Sequence, residues 1–332
     1  MTEEMTSYAL DFYVGCLGST RFIYVVLLNS DSEVIIVKKF EGTFTVMVTP
    51  FTPDEELDLD ALRANIDFYI DNGIHGVVVC GSTGEFSVLS VEEHEKMMET
   101  AVDQVNGRVP IIAGTAACST RRVMELTQYA KDVGIDGAMI VPPFYSKPRE
   151  KEVYRHYEKI SREVDLPIML YNNPWTSKVD MLPPLVAKLA ELDNILYIKE
   201  SSGDIARIMR IHELTNGGIT IFCGADNLAL ESFLMGAKGW ICVAANILPR
   251  YMSRLYELVK EKKLGKAREL YEGVYPLCSW LEETGLFCQG AKAGLEIMGM
   301  RAGPPRKPFL PVTDQEKEEL RKIIEKIQSI KL

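Results

Sequence analysis

Eight apolar, β-branched runs recur along the chain, and their spacing constrains the fold more than any other feature. They are Phe44–Val48, Gly76–Cys80, Val109–Gly114, Gly137–Val141, Pro167–Tyr171, Ile195–Lys199, Ile219–Cys223 and Gly239–Val243. Successive starts lie 32, 33, 28, 30, 28, 24 and 20 residues apart, which leaves room for one crossover helix between parallel strands. Runs this continuously apolar suit strands covered on both faces. The intervening segments carry helical period: Leu59, Leu62, Ile66 and Ile70 share a face. Ser90 followed by Glu93 reads as an N-terminal capping box, and Asn72-Gly73 and Val133-Gly134 read as C-caps. Eight such units predict an α/β chain folded as a TIM (β/α)8 barrel of ~250 residues. A doubly wound sheet is the runner-up, but it usually has fewer parallel strands.

The barrel then occupies residues 40–248. Residues 249–332 form a C-terminal helical extension packed on it, with helices expected at Met252–Lys262, Lys266–Leu286 and Asp314–Ile330. Residues 1–39 stand apart as a short N-terminal appendage. In it Phe22–Leu28 and Val34–Lys38 flank the polar segment Asn29–Glu33 and read as a hairpin. This appendage is an interaction arm, a structural addition or the product of an early start codon; in the last case the working protein starts near Phe40.

Composition removes several function classes. Hydrophobic residues at 47% and charged residues at 25% exclude disorder. A net charge of −10 lacks the basic footprint of a nucleic-acid or anionic-membrane binder. The acidic start Met1–Glu4 is no signal-peptide n-region, and the seven-residue run Phe22–Leu28 is too short to span a bilayer. Seven cysteines without a CxxC pair point to reduced thiols in a cytoplasmic protein. Four histidines without ligand spacing predict no metal site.

Chemistry in such a barrel sits at the carboxyl ends of its strands. Lys199 closes the sixth run; burial there disfavours an ammonium ion and leaves an amine able to attack a ketone carbon. Its bland reading is a salt-bridged lysine, with Glu200 as the candidate partner. Tyr171 closes the fifth run, where a phenol could shuttle protons, or simply pack in the core. Gly81-Ser82-Thr83-Gly84-Glu85 follows the second run and offers hydroxyls and backbone N–H groups to a carboxylate, though a plain turn explains it as well. It has no Gly-Lys-Ser/Thr and is not a Walker loop. Tyr145, after the fourth run, could extend a hydroxyl relay or pack as an aromatic. Cys80, Cys223 and Cys242 read as small buried hydrophobes.

From about Phe40 to Leu332 the chain resembles the dihydrodipicolinate synthase and N-acetylneuraminate lyase family of Schiff-base-forming enzymes. The resemblance rests on Thr49-Pro50-Phe51, Gly81-Ser82-Thr83-Gly84-Glu85, Tyr171-Asn172-Asn173-Pro174, Ile198-Lys199-Glu200 and Ala244-Ala245-Asn246, in order and with family spacing. It implies that Lys199 forms an imine with pyruvate or another 2-oxo acid and that Tyr171 is the acid/base at that carbon. It implies that Ser82 and Thr83 bind the 2-oxo acid carboxylate, Ser82 also relaying protons, and that the backbone of Ile241 faces the bound pyruvate. Tyr145 matches a relay tyrosine that crosses a dimer interface in tetrameric relatives, so a homotetramer or homodimer is implied. No cofactor, neither metal nor nicotinamide, is implied.

Some positions depart from the family pattern. Lysine-pathway synthases carry arginine where this chain has Thr176, and a neutral threonine cannot grip a carboxylate in bidentate fashion. Sialate lyases place Asp-Glu where this chain has Asp226-Asn227. Cys118 and Arg122 replace the residues that hold inhibitory lysine in feedback-sensitive relatives, and Arg122 would repel its ammonium group. Asn173, Trp175, Thr176, Asp226 and Asn227 are therefore expected to line a distal pocket. The leading reading is a lyase resembling 4-hydroxy-tetrahydrodipicolinate synthase; the alternative is an aldolase or dehydratase of 2-keto-3-deoxy sugar acids. A phosphate-binding barrel is disfavoured because Gly224-Ala225-Asp226 and Ala244-Ala245-Asn246 make poor phosphate loops. A non-enzymatic regulator is disfavoured by the intact lysine, tyrosine and Gly-Ser-Thr-Gly loop.

Overall fold

A computed structural model describes residues 39–332 throughout and, before them, the backbone pairing of three strands. These are β1 (Asp11–Leu17), β2 (Thr20–Leu28) and β3 (Val34–Lys38), joined as an antiparallel sheet in the order β1-β2-β3. The expected hairpin strands are β2 and β3; β1 is additional. The turn expected at Asn29–Glu33 and the acidic start Met1–Glu4 lie outside the described residues.

The chain divides into two compact units, Met1–Glu41 and Gly42–Leu332. The second opens on β4 (Gly42–Val46), followed by β5 (Gly76–Val79), β6 (Ile111–Gly114), β7 (Gly137–Ile140), β8 (Ile168–Asn172), β9 (Ile195–Glu200), β10 (Thr220–Cys223) and β11 (Gly239–Cys242). All eight pair in parallel, and β11 returns to β4, so the sheet closes into a barrel in sequence order. Each strand coincides with one of the eight apolar runs to within two residues at either end. Seven crossings carry helices, among them α1 (Leu59–Asp71), α2 (Val91–Val105), α3 (Thr120–Val133), α4 (Glu150–Glu163), α5 (Pro174–Ser177), α6 (Pro183–Leu189), α7 (Ala206–Leu214) and α8 (Ala229–Leu234).

Local rules set the helix boundaries. Ser90 and Glu93 make the reciprocal capping box that opens α2. Gly134 ends α3 at φ 96°, a conformation that suits a residue without Cβ. The barrel interior fills by pairing large with absent side chains across rungs. Phe44 lies opposite Gly76, and Phe222 opposite Gly239. A Cβ at either glycine would lie within 2.2 Å of the facing ring. Phe44 and Phe222 then meet edge to face, 5.5 Å between centroids.

The C-terminal region adds α9 (Pro249–Lys260), α10 (Leu264–Thr284), α11 (Phe287–Ile297) and α12 (Asp314–Gln328). Three of these match the expected helices; α11 does not appear in the helical pattern, because two glycines interrupt it. Those glycines are contact points. A Cβ on Gly294 would lie 2.3 Å from Ile247, and one on Gly290 would lie 2.7 Å from Trp280. Asn246 ties this end of the barrel together. Its amide donates to the carbonyls of Val46 and Val243, and its oxygen accepts from Val48 N–H and the Tyr69 hydroxyl.

Candidate active site

Lys199 and Tyr171 are partners on one rung of the β8–β9 pairing, each one residue before its strand ends. Both are buried, and Lys199 Nζ lies 4.2 Å from the centroid of the Tyr171 ring. The next rung, Asn172 with Glu200, clamps the two strands. Asn172 Nδ2 donates to Glu200 Oε2 and to Asp180 Oδ1, each at 3.1 Å, and its oxygen accepts from Met181 N–H at 2.9 Å. Burial pushes the Glu200 carboxyl upward, against hydrogen bonds from Ser202 and Asn172 and the charge of Arg207. Glu200 is therefore occupied with its own clamp, and the bland reading of Lys199 as its ion-pair partner finds no support in this geometry.

The phenol of Tyr171 is polarised from several sides. Burial alone would raise its pKa, but the charge of Lys199 and hydrogen bonds from Asn173, Ser82 and Lys199 outweigh that and bring it below the ordinary tyrosine value. Asn173 Nδ2 donates to the phenol oxygen at 3.0 Å, while Asn173 Oδ1 accepts from Thr176 N–H and caps the short helix α5. One side chain thus sets both the tyrosine hydroxyl and the turn bearing Thr176. Thr176 itself is exposed, and Trp175 beside it is held by a hydrogen bond from its indole N–H to Ser202 O.

The path of Lys199 depends on Gly224, just after β10. A Cβ there would lie 2.8 Å from Lys199 Cγ, 2.9 Å from its Cε and 1.9 Å from Ser201 Oγ. In the Gly81–Glu85 loop Ser82 is exposed and Thr83 buried, and Thr49 Oγ1 donates to Gly84 O at 2.6 Å. Ile241 is fully buried in β11, opposite Phe44.

Two expected residues take no part in this hydrogen-bond set. Tyr145 is 89% exposed on the loop after β7, and the partners of the Tyr171 phenol within this chain are Asn173, Ser82 and Lys199. Asp226 does not offer its carboxylate to a distal pocket. It is buried, with Oδ1 accepting from the Trp240 indole N–H at 2.9 Å and Oδ2 accepting from Ala244 N–H at 2.8 Å and Val243 N–H at 3.1 Å. Both oxygens are consumed in fixing the turn after β11, which leaves none for a substrate hydroxyl. Behind it Glu282 of α10 accepts from Asp226 N–H at 2.7 Å, and burial beside Asp226 pushes the Glu282 carboxyl up to about 7.

Sequence reasoning missed Glu282 and Lys292, the buried partner of Glu85, since a charged residue inside a helical pattern carries no sign that it points inward. Among the described residues no group of three or more His, Cys, Asp or Glu could hold a metal ion, and no helix is long and apolar enough to cross a membrane.

Fold and site together define a class: a closed (β/α)8 barrel with a buried lysine and a polarised tyrosine at the carboxyl ends of adjacent strands. Comparison with known proteins narrows the class. Residues 39–327 match the model of the dihydrodipicolinate synthetase family. The 4-hydroxy-tetrahydrodipicolinate synthase of Methanospirillum hungatei is 39% identical over 290 residues, 86% of this chain and 98% of that protein. The dihydrodipicolinate synthase of Aquifex aeolicus superposes with a TM-score of 0.83 at 35% identity, over 87% of this chain and 98% of its own. The Acinetobacter baumannii enzyme, solved with pyruvate, gives 0.83 and 35% over 88% of this chain and all of its own. The chain belongs to the dihydrodipicolinate synthetase family, whose enzymes are lyases that form a Schiff base.

Proposed function

We propose that this protein is a Schiff-base-forming lyase that condenses pyruvate with an aldehyde, as in the 4-hydroxy-tetrahydrodipicolinate synthases it resembles. The observation that carries the reading is the rung shared by Lys199 and Tyr171, with the amine 4.2 Å from the phenol ring in a buried setting. The neutral amine attacks the pyruvate ketone carbon, and loss of water gives a protonated imine. That imine is an electron sink, so a methyl proton leaves and an enamine forms. The enamine carbon attacks the aldehyde carbonyl, and water then releases the product and restores the amine.

Tyr171 serves as the proton carrier at the imine carbon, and its downshifted phenol suits exchange of a proton with the carbinolamine oxygen. Ser82 and Thr83 receive the pyruvate carboxylate, Ser82 also passing protons to Tyr171. The Ile241 backbone bounds the pyruvate on the β11 side. Asn173 holds the phenol, and Thr176 meets the second substrate. Tyr145 completes the relay from a second copy of the chain, in a homodimer or homotetramer; its exposure supports that role. The free cysteines among the described residues fit a reducing, cytoplasmic setting.

Incubation with pyruvate and borohydride should add a fixed mass on Lys199, and absence of an adduct with any 2-oxo acid would sink the proposal. Thr176, neutral where an arginine would grip a carboxylate, favours one second reading: cleavage or dehydration of a 2-keto-3-deoxy sugar acid by the same imine. A substrate screen coupled to pyruvate detection separates the two.

A further inference from the structure

Lys292 of α11 and Glu85 form an ion pair, Nζ to Oε1 2.7 Å, with side chains only 2% and 0% exposed. Such a pair is weak support for stability, because apolar side chains of similar volume often hold a fold as well. Its location suggests another use. Glu85 closes the Gly81–Glu85 loop with its backbone in the left-handed region at φ 57°, and Cys80 opens the same loop at φ 55°. Non-glycine residues keep such a backbone only where their surroundings over-determine it.

At Glu85 the surroundings come from several segments. Its Oε2 accepts from Arg306 N–H at 2.8 Å. Lys292 also donates to Pro304 O at 2.9 Å and lies 4.4 Å from the Phe51 ring centroid. The Arg306 guanidinium lies over the same ring and donates to both oxygens of Glu93 in the first turn of α2. One carboxylate therefore joins the loop to α11 and the 304–306 segment, which share a ring and an arginine with β4's outgoing turn and α2.

We infer that Glu85 and Lys292 are positioning residues: they hold Ser82 and Thr83 in place to receive the 2-oxo acid carboxylate, so that the C-terminal helices set affinity for that substrate. The inference rests on the imine-forming reading above. It is tested in the full chain with Glu85→Gln and with the charge-free double variant Glu85→Gln/Lys292→Met, each checked for cooperative melting. Borohydride trapping is measured against pyruvate concentration, and turnover at saturating pyruvate. The double variant should need about tenfold more pyruvate for half-saturation while kcat stays within about threefold, the pattern of lost ground-state binding. Glu85→Gln, which keeps the shape but offers one acceptor oxygen where the carboxylate offers two, should shift half-saturation about threefold in the same direction. Folded variants that saturate at the wild-type concentration would overturn the inference and leave the pair merely structural. Should the double variant fail to fold, Glu85→Gln decides by itself: a raised half-saturation supports the inference and an unchanged one overturns it. A wild-type chain that forms no adduct overturns the imine reading instead, an outcome that involves neither variant.

Discussion

Replacing Gly224 by alanine should slow the enzyme about 100-fold while leaving the barrel folded. The added Cβ would lie 1.9 Å from Ser201 Oγ, 2.8 Å from Lys199 Cγ and 2.9 Å from Lys199 Cε. The serine contact is relieved by rotating one hydroxyl, which has no hydrogen-bond partner to lose. The lysine contacts are different. Cγ can be cleared only by turning χ1 or shifting the backbone, and either displaces the rest of the side chain by several tenths of an ångström or more before ordinary contact distance is reached. That moves Nζ relative to the Tyr171 ring, 4.2 Å away, and to the loop bearing Ser82 and Thr83. Misplacement of a reacting atom by about an ångström costs roughly 100-fold in rate, or ~2.7 kcal/mol. Overpacking costs the fold ~1–3 kcal/mol. The assay is the rate of borohydride-trapped adduct formation with pyruvate, run beside thermal melting. Gly265→Ala is the control, because a Cβ there meets nothing and an alanine in the first turn of α10 should be neutral or slightly stabilising. A Gly224→Ala protein that traps pyruvate within threefold of wild type would refute the idea that the strand-end glycine fixes the path of the lysine.

Other expectations follow from the same geometry. Tyr171→Phe removes the phenol but not the ring beside Lys199, and should lower kcat by ~100-fold or more with little change in melting temperature; steady-state kinetics on the folded variant checks it. Asp226→Ala strips the acceptor from Trp240, Val243 and Ala244, and should destabilise the fold by roughly 3 kcal/mol, read by urea denaturation. Glu282 gives a pH signature. Its carboxyl is raised from 4.5 to about 7, so the fold favours the protonated form. Its contribution to stability is present below the unfolded value and is lost as pH rises from 4.5 through about 7, a swing of about 3 kcal/mol. Glu282→Gln should therefore melt higher than wild type at pH 8 and lose that advantage near pH 5; a difference that does not vary with pH counts against the assignment.

The barrel was legible because its strands are buried on both faces and so read as unbroken apolar runs. The barrel strands from β4 onward needed no tertiary information to be found. Lys199 and Tyr171 were legible for the same reason, since a polar residue at the end of such a run has few places to point except the barrel mouth. Asp226 was placed in a distal pocket by resemblance to sialate lyases, whereas its hydrogen bonds go to Trp240 and the Val243–Ala244 backbone, 14 to 18 residues away. Helix α11 escaped because Gly290 and Gly294 lower helix propensity. Those glycines answer a packing requirement against Trp280 and Ile247 that exists only once the barrel has closed. Lys292 lies between them and inherits the same invisibility.

The charge of the chain and the charge of the site follow different rules. A net charge of −10 opposes an anionic substrate, and a carboxylate, Glu85, stands in the very loop expected to bind one. Left unpaired, Glu85 would repel pyruvate at short range in a weakly screened setting. Lys292 Nζ pairs with it at 2.7 Å and the Arg306 backbone N–H donates to it at 2.8 Å, so Ser82 and Thr83 need supply only hydroxyls and backbone donors. The two carboxyls whose charge couples most evidently to Lys199, Asp226 and Glu282, are both biased by burial toward their neutral forms. Anion binding therefore does not require a basic protein or an arginine on the substrate. It requires that the acidic groups near the site be paired or biased toward neutrality: Lys292 pairs with Glu85, and burial biases Asp226 and Glu282 toward their neutral forms.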